Sequence, residues 1–237
     1  MKQGKSRWLL VGVVCLTLWG AGCTTQETRW DSIMADAAKA YQQADYAEAE
    51  KLFLAALKEA EKFGDQDPRL ATSLNNLAAT YRVRGKYSEA EPLYHRALAI
   101  REKILGPEHP DVANSLNNLA RLYYDQGKYA QPEPLYRRAL AMREKALGPE
   151  HPDVAASLNN LALLYYNQSK YAQAEPLYER ALEIAEKALG PEHLNAATSL
   201  ENYAALLHKL NRDAEADKME ARAQAIRAQH AQEIPQT

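Results

Sequence analysis

The chain has 237 residues, of which 46% are hydrophobic and 25% are charged, and its formal charge is −2. This length and composition predict one packed domain or one small repeat array and exclude global disorder. The near-neutral charge gives no indication of nucleic-acid binding. Because Ala, Leu and Glu are common whereas only two Phe residues occur, the composition favours helices over sheets.

The N-terminal segment (1–22) is unlike the rest of the chain. MKQGKSR holds three basic residues, and the uncharged run that follows, at 8–22, is shorter than the roughly 20 residues of a membrane span. Such a segment is typical of a secretory signal. Its end, LWGAGC, resembles the lipobox of bacterial lipoproteins, although Gly20 replaces the usual Leu. The resemblance implies cleavage after Gly22 and lipid on Cys23; the alternatives are an ordinary cleaved signal with a free cysteine, or an uncleaved anchor.

The residue after this cysteine bears on location. Thr24 stands where an Asp would indicate retention at the inner membrane, so the resemblance implies an outer-membrane lipoprotein facing the periplasm, or the outer face of the cytoplasmic membrane in a Gram-positive cell. Cleavage would remove Cys15 and three basic side chains, which leaves 26 basic and 31 acidic ones and a formal charge of −5. No disulfide could then form within the mature chain.

From about position 30 the sequence repeats, with a period of about 42 residues in its clearest part. The stretch LNNLA occurs three times and a fourth copy reads LENYA, beginning at Leu74, Leu116, Leu158 and Leu200. Apolar residues at positions 116, 119, 120 and 123 have helical spacing. Gly127 interrupts the pattern, and a second periodic run ends near Leu147, before Gly148-Pro149. Each unit is therefore predicted to be a helix (helix A), a short turn, a longer helix (helix B) and a loop.

One copy carries a resemblance to a known family. Its large and small residues follow the pattern of the tetratricopeptide repeat at Leu74, Leu77, Ala78, Tyr81, Gly85, Tyr87, Ala90, Tyr94 and Ala97. The longer period, with LNNLA and LGPEHP, resembles the kinesin light chain type of this repeat. The resemblance implies an all-α, right-handed superhelical solenoid of antiparallel helix pairs, in which the A helices line a concave groove.

The pattern predicts a division of the chain. The segments are a signal peptide (1–22), a lipid-anchored tether (23–29), a divergent first repeat (30–70), repeats at 71–112, 113–154 and 155–196, a degenerate last repeat with a capping helix (197–232) and a frayed tail (233–237). Two residues depart from the repeat pattern: Pro132 replaces an Ala of helix B, and Ser169 replaces the turn Gly. Since the first turn of a helix has free amide donors, helix B should survive Pro132.

The loops contain histidines, which are common metal ligands. Those at positions 109, 151 and 193 each lie in a Pro-Glu-His loop, but equivalent loops are separated by two packed helices, each roughly 8–10 Å from the next. They cannot converge on one ion. They are better explained as helix caps, with Pro110 and Pro152 at the first helical position.

A hydrolytic site is not indicated either. His109, Asp111 and Ser115 have the composition of a triad, but no Gly-x-Ser-x-Gly elbow is present, and no cysteine follows Cys23. The sequence therefore predicts a protein without catalytic residues, metal or cofactor.

Three asparagine pairs lie between the core leucines of helix A. Asn is a mediocre helix former, so packing alone does not explain them. In the family that the sequence resembles, equivalent side chains contact the backbone of a partner, and an amide both donates and accepts hydrogen bonds. The alternative is hydrogen bonding between repeats, and the two roles could be divided between the members of each pair. The predicted groove residues are Asn75, Asn76, Asn117, Asn118, Asn159, Asn160, Arg82, Arg121, Tyr124 and Tyr166.

One helical turn further along, the groove should display Ala79, Arg121 and Leu163. The mixed charges of helix B, among them Arg101 and Glu102, are predicted to form a solvated convex face.

The sequence thus predicts a non-catalytic, lipid-anchored scaffold or assembly factor that binds a protein or peptide partner in its groove. Two alternatives remain open, a structural self-associating module and a periplasmic carrier of carbohydrate or lipid. The only other predicted partner is the membrane, through the lipid on Cys23; no nucleic acid is expected.

Overall fold

In this computed structural model, residues 18–233 are described, with side chains for residues 28–231. They form ten α-helices and no strand, in agreement with the predicted fold class. The helices are α1 (Leu18–Gln42), α2 (Tyr46–Ala60), α3 (Pro68–Val83), α4 (Tyr87–Leu105), α5 (Pro110–Asp125), α6 (Pro132–Leu147), α7 (Pro152–Asn167), α8 (Tyr171–Leu189), α9 (Leu194–Lys209) and α10 (Asp213–Glu233). A short 3-10 turn, Glu61–Phe63, follows α2.

Consecutive helices form five antiparallel pairs, stacked into a right-handed superhelical solenoid. The odd-numbered helices are the A helices and the even-numbered ones the B helices. The A helices α3, α5 and α7 begin one repeat period apart, each three residues before the repeat boundary predicted from sequence. Residues 23–29, the predicted tether, lie within α1, whereas most of the predicted signal peptide lies outside the described residues. Among the described helices, none is both long enough and apolar enough to cross a bilayer.

The A helices begin where the sequence predicted caps. The Nδ1 atoms of His109, His151 and His193 accept hydrogen bonds from the backbone N–H two residues further on, at 3.1–3.2 Å. Pro110 and Pro152 occupy the first helical position, where a missing N–H costs nothing. The histidines therefore define helix starts, as the cap interpretation requires.

The turn between the two helices of a repeat requires a left-handed backbone. Gly85 and Gly127 have φ values of 73° and 72° there. Ser169, at the equivalent position, adopts φ 58°, a conformation that costs a non-glycine residue about 1–2 kcal/mol. Backbone hydrogen bonds close this turn, from Ser169 to the Tyr166 carbonyl at 2.9 Å and from Lys170 to the Tyr165 carbonyl at 2.8 Å.

Pro132 shortens helix B of its repeat without abolishing it. Ala90 and Ala174 at equivalent positions each donate a backbone hydrogen bond of 3.1 Å to the residue four places earlier. Pro132 has no N–H, and Gln131 instead donates to Lys128 at 3.2 Å. As a result α6 begins at Pro132, three residues later than α4 and α8 begin in their repeats.

The core follows the repeat. One aromatic ring of each of the first four B helices is almost fully buried, at Phe53, Tyr94, Tyr136 and Tyr178. The fifth B helix, α10, is mostly polar and packs against α9 through Ala216, Ala223 and Ile226.

Charged side chains on the B helices also join the repeats. Arg138 contacts Glu102 of the preceding B helix at 2.8 Å and donates to the Pro107 carbonyl at 3.0 Å. Arg180 and Arg222 make the equivalent ion pair and carbonyl hydrogen bond in the next two repeats. Part of the charge that the sequence predicted to be solvated therefore connects neighbouring repeats.

Candidate functional site

The first members of the asparagine pairs contact neighbouring helices. Asn159 Nδ2 donates to Ser199 Oγ of α9 at 2.8 Å, and Asn75 Oδ1 accepts from Asn118 of α5 at 2.9 Å. Asn117 is 8% exposed, and in the amide orientation that satisfies its neighbours its oxygen accepts from Arg143 at 2.9 and 3.2 Å. The amides of Asn75 and Asn159 therefore connect neighbouring repeats, the alternative that the sequence had left open, whereas Asn117 bonds to helix B of its own repeat.

The second members of the pairs form fewer or weaker hydrogen bonds to neighbouring helices. Asn118 bonds to Asn75, and Asn76 receives a weaker hydrogen bond of 3.3 Å from the same residue. Asn160 is half-buried, and within residues 28–231 its side chain has no hydrogen-bond partner. The difference between a bonded first member and a free second member is therefore clearest for Asn159 and Asn160.

The two predicted groove arginines meet at one carboxylate. Arg121 donates from Nε to Asp125 at 3.0 Å, and Arg82 from the preceding A helix pairs with the other oxygen of the same group. The Arg121 side chain keeps 46% of its surface exposed. It remains available to a partner at one edge, whereas Arg82 serves mainly as a contact between α3 and α5.

The two predicted groove tyrosines are half-buried and pair with the tyrosine that opens the following B helix or turn. The Tyr124 ring lies 5.6 Å from that of Tyr129, and the Tyr166 ring lies 5.9 Å from that of Tyr171. Asn167 donates to the Tyr124 hydroxyl at 2.7 Å. Burial raises the pKa of Tyr124, so its hydroxyl stays protonated at neutral pH.

A cleft of about 420 Å³ opens between α7 and α9. Its wall includes four residues that the sequence placed in the groove, namely Asn159, Asn160, Arg121 and Leu163. The remaining polar residues are uncharged and are Asn195, Thr198, Ser199 and Asn202. We call this the α7–α9 cleft.

Sequence reasoning missed two arginines on the B helices, of which Arg143 is buried and Arg101 is half-buried. Arg101 donates to Ser115 at 2.7 Å and Arg143 to Ser157 at 2.7 Å, so both extend from helix B towards the A helices. Burial outweighs the nearby Asp111 and Asp153 and lowers the pKa of both guanidinium groups. The expectation that Arg101 forms a solvated convex face is therefore wrong. The signal was the serine that recurs in each repeat beside the LNNLA stretch.

Outside the groove, His208 lies in a group of carboxylates. Its Nδ1 is 2.7 Å from Asp213, its Nε2 is 3.3 Å from Glu220, and Asp217 is also close. The hydrogen bond to Asp213 is the main reason why the pKa of His208 is raised. Both ring nitrogens are engaged by carboxylates, as expected of an imidazolium that joins α9 to α10.

The chain belongs to the tetratricopeptide repeat family. The family model matches residues 34–93, 70–145, 126–187 and 153–229, which together span most of the chain. Proteins with this fold are generally non-catalytic scaffolds that commonly mediate protein–protein interaction. A search of curated proteins found no match.

Solved structures confirm the similarity to kinesin light chain-like repeats. BtubC (BKLC) from P. vanneervenii is 26% identical over 93% of this chain and 88% of that one, with a TM-score of 0.76. A protein of Podosopora anserina, described as a putative kinesin light chain with nearly identical TPR-like repeats, is 28% identical over 85% and 96%, with a TM-score of 0.69. Pseudomonas aeruginosa pilF shares the fold, at 21% identity over 90% and 80% and a TM-score of 0.60.

Proposed function

We propose that this protein is a non-catalytic docking scaffold that binds an extended segment of a partner protein along its concave groove. The observation that carries the proposal is the α7–α9 cleft, where Asn160, Leu163 and Arg121 surround about 420 Å³ of space. The amide suits the backbone of an extended peptide, and the leucine suits one of its apolar side chains.

We also propose that the scaffold is held at the bacterial envelope by lipid on Cys23, as an outer-membrane lipoprotein that faces the periplasm. The support is the sequence alone: a basic start, a short apolar run and small residues before the cysteine. Thr24 supports transfer to the outer membrane of a Gram-negative cell.

The groove is tested by photo-crosslinking in intact cells. A photoreactive amino acid at Asn160 should crosslink to one partner, whereas the same amino acid at Ala141, exposed on helix α6, should not. Leu163→Arg should abolish the crosslink from position 160 without loss of cooperative unfolding. Equal crosslinking from both positions, or crosslinking only to another copy of this chain, would count against the proposal.

The anchor is tested by fractionation. Cys23→Ser should move the protein from the membrane to the soluble fraction, and Cys15→Ser is the matched control because Cys15 lies within the predicted signal. A Cys23→Ser protein that remains on the membrane would contradict lipid anchoring. Thr24→Asp should shift the protein from the outer to the inner membrane.

A further inference from the structure

The α7–α9 cleft lies where an arginine side chain that recurs on the preceding B helices is absent. Arg101 and Arg143 occupy equivalent positions on two successive B helices, one repeat period apart. The next equivalent position is Ala185, which is buried in the wall of the cleft. The space that Arg143 occupies between α5 and α7 has no corresponding side chain between α7 and α9.

Arg143 fills its space by donating to neutral acceptors. It donates to the Asp153 carbonyl at 3.1 Å, to Ser157 Oγ at 2.7 Å and to Asn114 Oδ1 at 2.6 Å. The reoriented Asn117 amide accepts from it as well. The side chain is 8% exposed, so the arginine closes the interface between these A helices.

Three of these four acceptor positions are retained around the open cleft. The residues one repeat period after Asp153, Ser157 and Asn117 are Asn195, Ser199 and Asn159, and all three line the cleft.

The Asn159 oxygen is left without a donor. It is buried, and within the part of the chain that the structure describes it has no hydrogen-bond partner, since the amide nitrogen is engaged by Ser199. A buried acceptor without a donor is destabilising, and a ligand that donates to it relieves that cost on binding.

Charge has been removed from this cleft together with the arginine. The uncharged Asn195 stands where the closed interface has Asp153. Among the described residues that line the wall, Arg121 is the single charged one, and it is paired with Asp125. A cationic guest would be repelled by Arg121, and an anionic guest cannot donate to Asn159. The wall favours an uncharged guest that carries both donors and an acceptor.

We propose that the α7–α9 cleft receives a side-chain carboxamide, from Gln or Asn, of the segment that lies in the groove. Its N–H₂ group donates to Asn159 Oδ1, and its oxygen accepts from the amide of Asn160 or Asn202. None of the described lining residues is aromatic, so the cleft lacks a stacking surface for a sugar ring. This inference rests on the proposed function and assigns the chemistry that the groove selects.

The test is an NMR titration of the full chain with peptides acetyl-Ala-Ala-Xaa-Ala-Ala-amide, where Xaa is Gln, Glu, Arg or Leu. The Gln peptide should shift the side-chain amide signals of Asn159 and Asn160 saturably and bind about three- to tenfold more tightly than the Leu peptide, the effect of one hydrogen bond. Tighter binding of the Glu or Arg peptide would overturn the inference. So would saturation by an N-acetylglucosamine disaccharide in the absence of a response to the Gln peptide.

Variants separate this site from the rest of the groove. Ala185→Arg supplies the missing guanidinium and Ala185→Met fills the same space without a donor, so both should abolish the Gln response. Ala141→Arg adds the same charge at an exposed position of α6 and should leave the response intact. Cooperative thermal unfolding of each variant shows that it is folded. If the Asn160 crosslink to a partner persists without a Gln preference, the inference fails and the proposed function stands; if that crosslink is also absent, both fail.

Discussion

The interface between α5 and α7 is equivalent to the interface between α7 and α9 in the next repeat. A side chain fills the first, whereas the second is open. The first is closed by Arg143, which reaches the A helices from α6. The second has Ala185 at that position and opens into a cleft of about 420 Å³. The two interfaces therefore differ at one position of helix B, which holds an arginine where the space is filled and an alanine where the cleft is open.

The largest expected effect comes from opening the closed interface. Arg143→Ala should destabilise the protein by about 2–4 kcal/mol, because it leaves the buried polar groups of Ser157 and Asn117 without a donor. Urea unfolding measures the change. Arg138→Ala on the same helix removes an exposed ion pair and should cost about 0–1 kcal/mol. Equal losses in the two variants would show that Arg143 does not close the interface.

Loss of the serine hydroxyl should destabilise the protein more at the closed interface than at the open one. Ser157→Ala should cost about 1–3 kcal/mol, since it removes an acceptor of the buried Arg143 guanidinium. Ser199→Ala should cost less, because water in the open cleft can replace the bond to Asn159. Urea midpoints of the two variants give the comparison, and a larger loss at position 199 would contradict the assignment of open and closed interfaces.

A smaller change is expected where α6 begins. Pro132→Ala restores the N–H that Ala90 and Ala174 use, so α6 should start near Tyr129 and the protein should gain about 1 kcal/mol. Hydrogen exchange at the restored backbone amide of position 132 is the measurement. Fast exchange there, with no gain in stability, would show that another contact keeps the first turn open.

The smallest effect concerns the capping pair α9–α10. The folded-state pKa of His208 is raised by Asp213 and Glu220, with Asp217 also nearby, so its ion pairs contribute stability below the ordinary pKa of 6.5. That contribution is lost as the pH rises through the higher folded-state value. The melting temperature should therefore fall slightly more between pH 6 and 8 in the wild type than in His208→Gln. Identical pH profiles would show that His208 does not join α9 to α10.

The sequence predicted the fold well because the regular period of the repeat fixes helix lengths, turns and core residues together. The LNNLA leucines and the buried tyrosines follow directly from helical spacing. The caps at His109 and His151 follow from the His-Pro dipeptides. In contrast, the direction of a long side chain is not encoded by its spacing.

The candidate site was less predictable for that reason. Arg101 lies in a run of mixed charges, which is typical of a solvated surface, yet its guanidinium reaches Ser115 at 2.7 Å. Likewise, spacing could not show which asparagine of each pair bonds to the next repeat, because that depends on the register between adjacent A helices. Asn160, Arg121 and Leu163 line the same cleft, and their placement in a partner-binding groove stays a prediction.

The most direct measurement is the affinity of the crosslinked partner segment, made as a synthetic peptide, for three forms of the protein. Isothermal titration should show that the wild type and Ala141→Arg bind alike, whereas Ala185→Arg binds about tenfold more weakly or not at all, a loss of about 1.4 kcal/mol or more. Equal affinity of Ala185→Arg and the wild type would contradict the claim that the open α7–α9 cleft is where the partner docks.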